Sequence, residues 1–328
     1  MRVLVTGGTS LIGAGVARAL MQREHTVTVM QRGESRLELN EIRADLSDRG
    51  AVENALRGQD AVINVAAKVS VIGEWADFDR TNVVGTKNLL SSCKSHDVSR
   101  FVQISSPSVA HTGQPLIGVG ATPADPEHAR GHYARSKALA EQHVLAAASS
   151  SMKTVAIRPH LVWGPGDTQL VGRIVERARQ GRLVLIGGGT ALIDSTYVDN
   201  AVSAIVAALD RAPQISGEAF VVSNGEPRTV AELLERICAA SGVPSPRRSV
   251  PTSVAKAAGT LVEQAWERLD RDEEPPLTSF LAEQLSTAHW FDQRRTRESL
   301  QWAPRISLAE GFNRLADSAQ LRQVDDVL

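Results

Sequence analysis

The 328-residue chain has only two cysteines, Cys93 and Cys238, and no Cys-x-x-Cys pair, which excludes a disulfide framework and an obvious zinc site. It has no excess of basic residues: 36 Lys and Arg stand against 37 Asp and Glu, for a net charge of −1. Nothing here calls for nucleic acid or an anionic membrane surface as partner. Long apolar runs are also missing. The longest nearly apolar stretch, Ala201–Leu209, falls far short of the roughly 20 residues of a membrane-spanning helix. Met1-Arg2 leads straight into Val3-Leu4-Val5 and then glycines, with no secretory apolar region. A cytoplasmic protein without a transmembrane segment is expected. The histidines show no His-Glu-x-x-His or other ligand spacing, so no metal is expected. What remains is an ordinary globular composition, 42% apolar and 22% charged, which rules out disorder, collagen and coiled coil as descriptions of the whole chain.

The first 160 residues alternate short apolar runs with helix-period segments. Strands are expected at Arg2–Val5, Thr26–Met30, Ala61–Val65, Phe101–Ser105 and Lys153–Arg158, with a weaker one at Glu41–Arg43. Helices are expected near Ile12–Gln22, Asp48–Leu56, Asn82–Lys94 and His132–Ala147. Strands apolar on both faces that alternate with helices predict an α/β fold, a doubly wound parallel (Rossmann) sheet. After Arg158 the rhythm breaks at Gly164-Pro165-Gly166 and Gly187-Gly188-Gly189. Residues 1–165, joined by about 192–225, are read as the core, and 166–191 with 226–328 as a smaller, mainly C-terminal substrate-binding cap. Capping boxes at Thr229/Glu232 and Ser307/Glu310 start two of its helices. Val254, Ala257, Ala258, Leu261, Val262 and Ala265 share one helical face. With Trp266, Phe280, Leu281 and Leu285 they either wall an apolar groove or pack the cap on the sheet. The polar tail from about Ala316 is expected to fray.

Val3-Leu4-Val5 runs into Thr6-Gly7-Gly8-Thr9-Ser10-Leu11-Ile12-Gly13, a strand, a glycine turn and a helix start. Backbone N–H groups at such a helix start, with its dipole, bind a dinucleotide diphosphate. A carboxylate at the end of the second strand would select NAD, whereas a nearby arginine accommodates the 2′-phosphate of NADP. Here Val29-Met30 is followed by Gln31-Arg32-Gly33, with no acid at the strand end. NADP(H) through Arg32 is therefore preferred, NAD(H) staying open. The alternative for Arg32, with Glu34 in the same loop, is simple solvation.

Tyr133-Ala134-Arg135-Ser136-Lys137 places a phenol and an ammonium four residues apart on a predicted helix, hence on one face. A free tyrosine, with a pKa of about 10, is a poor acid near neutrality. An adjacent ammonium would lower that value and let the pair move a proton at a carbonyl or alcohol. With two tyrosines and six lysines in the chain, this spacing on the helix after the fifth strand is hard to obtain by chance.

These segments resemble the extended short-chain dehydrogenases/reductases over roughly residues 1–315. The family's glycine pattern TGxxGxxG has Ser10 in place of its middle glycine, and the Ser10 hydroxyl is a candidate extra phosphate ligand. Ser105-Ser106-Pro107-Ser108 resembles the segment whose serine binds the substrate oxygen, which implies Ser106 as catalytic and Ser108 as its alternate. Asp45 and Leu46 resemble the adenine contact. Ala66 and Ala67 resemble the segment that runs under the cofactor, and Pro159 the position beside the nicotinamide. His160 is either an extra acid or a scaffold residue. Arg158 through Asp167 and Tyr197-Val198-Asp199-Asn200 resemble the 3β-hydroxysteroid dehydrogenase branch. Asn224 through Pro227 also matches, and Glu274 through Thr278 and His289 through Asp292 resemble, more narrowly within it, the bacterial 2-alkyl-3-oxoalkanoate reductases of olefin biosynthesis. The resemblance implies NADPH-dependent reduction of a 2-alkyl-3-oxoalkanoic acid by Ser106, Tyr133 and Lys137, with an apolar substrate. It also implies a homodimer through the helices near 82–94 and 132–147, and assembly with β-lactone-forming enzymes. A 3β-hydroxysteroid dehydrogenase, with or without isomerase activity, a nucleotide-sugar epimerase and a non-catalytic NADP-binding protein stay open as alternatives.

Overall fold

The computed structural model describes residues 1–268, 275 and 277–325, so Glu274 and Pro276 of the segment singled out above lie outside the described residues. Seven parallel strands form the central sheet: β1 (Arg2–Thr6), β2 (Thr26–Gln31), β3 (Asn40–Arg43), β4 (Ala61–Asn64), β5 (Arg100–Ile104), β6 (Lys153–Pro159) and β7 (Glu218–Val222). Their spatial order is β7-β6-β5-β4-β1-β2-β3. The chain starts in the middle, winds outward through β2 and β3, then crosses to β4 and winds out the other way. The switch point falls between β1 and β4, which pair with Val5 opposite Ile63. Ligands in such sheets bind in the crevice above that point, at the carboxyl ends of the strands. The doubly wound parallel sheet is as expected.

Both faces of the sheet are covered, which is why Val3, Leu4, Val5, Val62 and Ile63 are all buried. One face carries α1 (Leu11–Gln22), through Val16, Ala17 and Leu20, and the later helix Val198–Arg211, through Val202 and Ile205. These two helices approach so closely that a Cβ on Gly15 would lie 2.7 Å from Val202 Cγ2. The other face carries α2 (Arg49–Leu56), α3 (Gly85–Ser95) and α4 (Gly131–Ala146), through Val52, Leu56, Leu89, Leu90 and Val144. Each fully buried aliphatic side chain contributes about 1.5–3 kcal/mol. A wide π-helical segment, Asp79–Val84, leads into α3. Arg158 and Glu141, both almost fully buried, join β6 to α4 by two hydrogen bonds. A carboxylate removed from such a pair leaves an uncompensated guanidinium.

The expected helix starts at Thr229 and Ser307 are present: each hydroxyl accepts the N–H three residues on. Several features differ from expectation. Strand β7 was not foreseen as such. A second, four-stranded sheet links Arg228–Thr229, Leu192–Ile193, His289–Phe291 and Leu116–Val119. In the cap helix Thr252–Arg268, Val254 and Leu261 are 54% and 67% exposed. Its buried side is Ala255 and Gly259, where a Cβ on Gly259 would lie 2.4 Å from the Ser279 backbone nitrogen. Small residues let the next helix, Ser279–Ser286, come close on that side, and Val254 and Leu261 do not take part in that packing. From Ala316 to Asp325 the described chain is still helical. It continues the helix Leu308–Asp325, held by buried Leu315 and by Phe312 stacked 4.5 Å from the ring of Trp163.

Candidate active site

The glycine turn closes over the switch point. Gly7 takes a φ of +73° and sits against Ala66, whose Cα would be 2.9 Å from a Cβ there. A Cβ on Gly8 would lie 2.6 Å from Gln31 Oε1, and one on Gly13 only 2.2 Å from the Gly7 carbonyl oxygen. Side chains at these positions would collide with the turn's own backbone, β2 and Ala66, so the glycines let the turn pack tightly against the sheet, and Thr9, Leu11 and Ile12 follow at the start of α1. Ser10 is the N-cap of α1. Its hydroxyl donates to the Gly7 carbonyl at 2.8 Å and accepts from Gly13 N–H at 3.0 Å. Ser10 thus supports the turn from within, and the expected extra phosphate ligand gives way to a capping role. Gly13→Ala is expected to weaken NADPH binding at least tenfold, measured by fluorescence titration, because its methyl group cannot fit without opening the turn.

At the adenosine end, Gln31 ends β2 and donates to Glu41. Glu41 also accepts from Ser35 N–H and Arg43, and Glu34 pairs with Arg43 at 3.6 Å. Glu34 is thereby drawn away from Arg32, which is exposed and enters no ion pair among the described residues. Asp45 accepts from both the N–H and the hydroxyl of Ser47. The Ser47 N–H is the main reason the carboxyl stays below its ordinary pKa. Leu46 is buried beside Gly85.

At the other end, α4 presents Tyr133 and Lys137, and β5 delivers Ser106. The Ser106 hydroxyl accepts from the Ser108 hydroxyl at 2.9 Å and from Ser108 N–H at 3.2 Å. Ser108 therefore props Ser106, which is the serine facing Tyr133. Burial pushes the Tyr133 phenol up to about 12, with Ser106 pulling the other way. Burial pushes Lys137 down to about 8, opposed by the charge of Glu141. The Lys137 ammonium donates to the Ile104 carbonyl at 2.5 Å. The expected lowering of the tyrosine pKa by the neighbouring lysine is not the dominant effect here. Loss of solvent dominates, the Ser106 hydrogen bond is what opposes it, and Tyr133 keeps its proton near neutrality.

A buried polar relay beneath the crevice went unread in the sequence. Thr6 Oγ1 accepts Ala66 N–H and donates to Asn64. Asn64 donates to Gln103 at 2.9 Å, and Gln103 donates to the same Ile104 carbonyl that holds Lys137. Asn82 clamps Lys68 of the loop after β4 to Ser136 of α4, and Ser136 donates to the Tyr133 carbonyl. Its available signal was polar residues inside apolar strands, as with Gln103 between Val102 and Ile104. Beside Ser106, Pro159 ends β6 and His160 follows. His160 Nδ1 donates to the Asp194 carbonyl, and its ring lies 6.1 Å from His289, which lies 5.0 Å from His111. Asn200, of the expected Tyr197–Asn200 signature, binds both Arg305 and Ile306 N–H and so clips the C-terminal segment to the core. Among the described residues no group of three or more His, Cys, Asp or Glu converges as a metal site, and no helix is long and apolar enough to cross a membrane. Two surface hollows, one by Met21 and Leu37 and one by Trp290 and Arg297, hold none of Ser106, Tyr133 and Lys137.

A dinucleotide cradle at the switch point, with a Tyr-Lys pair and a serine at its far end, defines an oxidoreductase of the short-chain dehydrogenase type. The chain belongs to the NAD dependent epimerase/dehydratase family, whose model matches residues 3–223. It is 41% identical to the 2-alkyl-3-oxoalkanoate reductase of Stenotrophomonas maltophilia, over 97% of this chain and 99% of that one. It is 28% identical to the human sterol-4-alpha-carboxylate 3-dehydrogenase, decarboxylating, over 98% of this chain and 90% of that one. Among solved structures, the UDP-glucuronic acid 4-epimerase of Bacillus cereus in complex with NAD superposes with a TM-score of 0.76 at 20% identity, covering 98% of this chain and 99% of that one. That likeness is one of fold.

Proposed function

We propose that the protein uses NADPH to reduce the 3-keto group of a 2-alkyl-3-oxoalkanoic acid to the 3-hydroxy acid. The observation that carries this reading is the 41% identity, over nearly the whole of both chains, to a reductase of that name, joined to the Ser106–Tyr133 contact. Gly7, Gly8, Thr9, Ser10, Leu11, Ile12 and Gly13 would hold the diphosphate, Arg32 the 2′-phosphate, and Asp45 and Leu46 the adenine. Ala66, Ala67, Tyr133, Lys137 and Pro159 would line the nicotinamide end. When bound, the cofactor supplies the hydride. Tyr133, protonated and partly buried, donates its proton to the substrate oxygen as negative charge develops there. Ser106 hydrogen-bonds the same oxygen and strengthens its bond as that charge grows. Lys137, one helical turn on from Tyr133, would supply positive charge that favours proton release. The segments 166–191 and 226–328 would enclose the alkyl chains. The product has the 3-hydroxy acid pattern from which a β-lactone can close.

The test is cofactor oxidation at 340 nm with a long-chain 2-alkyl-3-oxo acid and, in parallel, an androstane 3-ketosteroid. Turnover of the acid is the expected result. Turnover of the steroid alone would shift the assignment to the 3β-hydroxysteroid dehydrogenases. Arg32→Ala is expected to raise the KM for NADPH roughly tenfold to hundredfold, the loss of one charged hydrogen bond, and to leave NADH little affected. An unchanged NADPH/NADH preference would remove Arg32 as the 2′-phosphate ligand.

A further inference from the structure

The substrate proposed above carries a carboxylate one carbon away from the reacting carbonyl, and that charge needs a partner inside the crevice. The neighbouring cations are already committed. Lys137 is held on the Ile104 carbonyl, Arg158 on Glu141, and Arg130 and Lys256 on Glu283. His160 differs from all of them. Its Nδ1 bonds a backbone carbonyl, which only accepts, so Nδ1 carries the hydrogen and Nε2 bears the lone pair of the neutral ring. Among the described residues Nε2 makes no hydrogen bond, and it is not a sealed, unpartnered atom. His160 and Tyr133 both stay partly accessible, although burial dominates the titration of each. His160 follows the end of β6, the strand paired with β5 from which Ser106 leads, so it stands at the same end of the sheet as Ser106, and through His289 its ring connects to His111, just beyond the Pro107–Ala110 turn.

The backbone aims His160 there. Arg158, two residues earlier, turns its side chain to Glu141 of α4, so His160 follows on the α4 side as β6 runs to its carboxyl end. Tyr133 lies toward the same end of α4. Leu161 then takes a φ of +43°, a left-handed conformation rare for a leucine, which persists only where the surroundings impose it. His289 and Phe291 of the cap pack against the ring. We propose that His160 receives the substrate carboxylate, and that the enzyme takes up one proton as the acid binds; the proposal rests on the 3-oxo acid reading above.

The proton is required by the donor arrangement. A neutral His160 offers only a lone pair at Nε2, which repels a carboxylate. One added proton makes both nitrogens donors, and the imidazolium then pairs with the carboxylate away from water. Before binding, burial holds His160 down at about 4, so the free ring is neutral near neutrality and the proton must come from solvent. The groups facing it limit the uptake to one. His289 is disfavoured from charging by burial first and then by His160 and His111. His111 is kept low chiefly by burial, with Glu283 raising and Arg130 lowering it. Asp194 gives His160 only its backbone carbonyl, while its carboxylate accepts from Ser223 and from Glu226 N–H.

The experiment uses the full chain with NADPH bound, so that the added hydroxy acid cannot be oxidised, in weak buffer near pH 7.5 with an indicator dye. It is titrated with a 2-alkyl-3-hydroxyalkanoic acid and separately with its methyl ester. About one proton should be taken up per acid bound, and none with the ester. Saturable binding of the acid without proton uptake overturns the subsite and leaves the ketoreductase reading intact. Failure to reduce both the 3-oxo acid and its ester overturns that reading and the subsite with it. In kinetics, the acid-over-ester preference in kcat/KM should rise up to tenfold for each pH unit lowered between 8 and 6. In His160→Gln the preference should fall at least tenfold and lose its pH dependence; a folded variant with the wild-type preference and slope overturns the proposal. The proton measurement on the wild-type protein decides the matter even where that variant does not fold.

Discussion

Tyr133→Phe is expected to lower kcat for keto reduction by about a hundredfold to ten-thousandfold, the range of a positioned general acid, while the Kd for NADPH changes less than twofold. The substitution removes one oxygen and keeps the ring, so the packing of α4 is preserved. Burial holds the phenol near 12, so it retains its proton throughout the physiological range, as a donor to a developing alkoxide must. Ser106 cannot take over the transfer. Its hydroxyl accepts two hydrogen bonds from Ser108 and is suited to holding the substrate oxygen. With Tyr133 protonated to about 12 and Lys137 to about 8, the first loss of kcat at saturating substrate on raising pH belongs to the lysine, which places that alkaline limb near 8. Single-turnover rates with pre-bound NADPH separate chemistry from binding, and a variant retaining a tenth of wild-type turnover would remove Tyr133 as the acid.

The parts legible in the sequence are those encoded over short distances. Thr6 through Gly13 joins a turn and a helix start within eight residues, and Tyr133 and Lys137 need only one helical turn to meet. The apolar runs of β1, β4 and β5 declare themselves because both faces of the sheet are covered. What escaped depends on contacts far apart in the chain. Leu192–Ile193 and Arg228–Thr229 are two-residue strands, which exist through their partners and carry no period of their own. The packed side of the Thr252–Arg268 helix is hard to read because Ala255 and Gly259 on one side compete with Val254 and Leu261 on the other. Close helix approach favours the small residues, and a hydrophobicity pattern reads the reverse. Ser10 looked like a substituted glycine, and only its two hydrogen bonds show that it caps the helix. Gln103 and Asn64 looked like polar intrusions in strands until their shared relay to the Ile104 carbonyl was seen.

That relay leads to the second large effect. Lys137→Met should nearly abolish turnover and at the same time stabilise the protein measured without cofactor. Lys137 is 3% exposed, and its pKa falls from an ordinary 10.5 to about 8 on folding. In the unfolded chain the ammonium stays protonated up to about 10.5, whereas the folded protein disfavours it already above about 8. Burying it therefore opposes folding by up to about 3 kcal/mol. This penalty is fully present below pH 8 and fades as pH rises from 8 toward 10.5, so the lysine makes the wild-type protein gain stability across that window. Methionine fills a similar volume without charge. The Ile104 carbonyl is not orphaned by the change, because Gln103 still donates to it at 3.1 Å. Thermal unfolding at pH 7 should show a midpoint a few degrees higher in the variant, and the difference should shrink by pH 10. A variant less stable than wild type at pH 7 would mean that the lysine's bond to Ile104 outweighs the cost of its burial. A variant more stable and inactive would show that the fold tolerates this buried cation for the sake of the chemistry it serves.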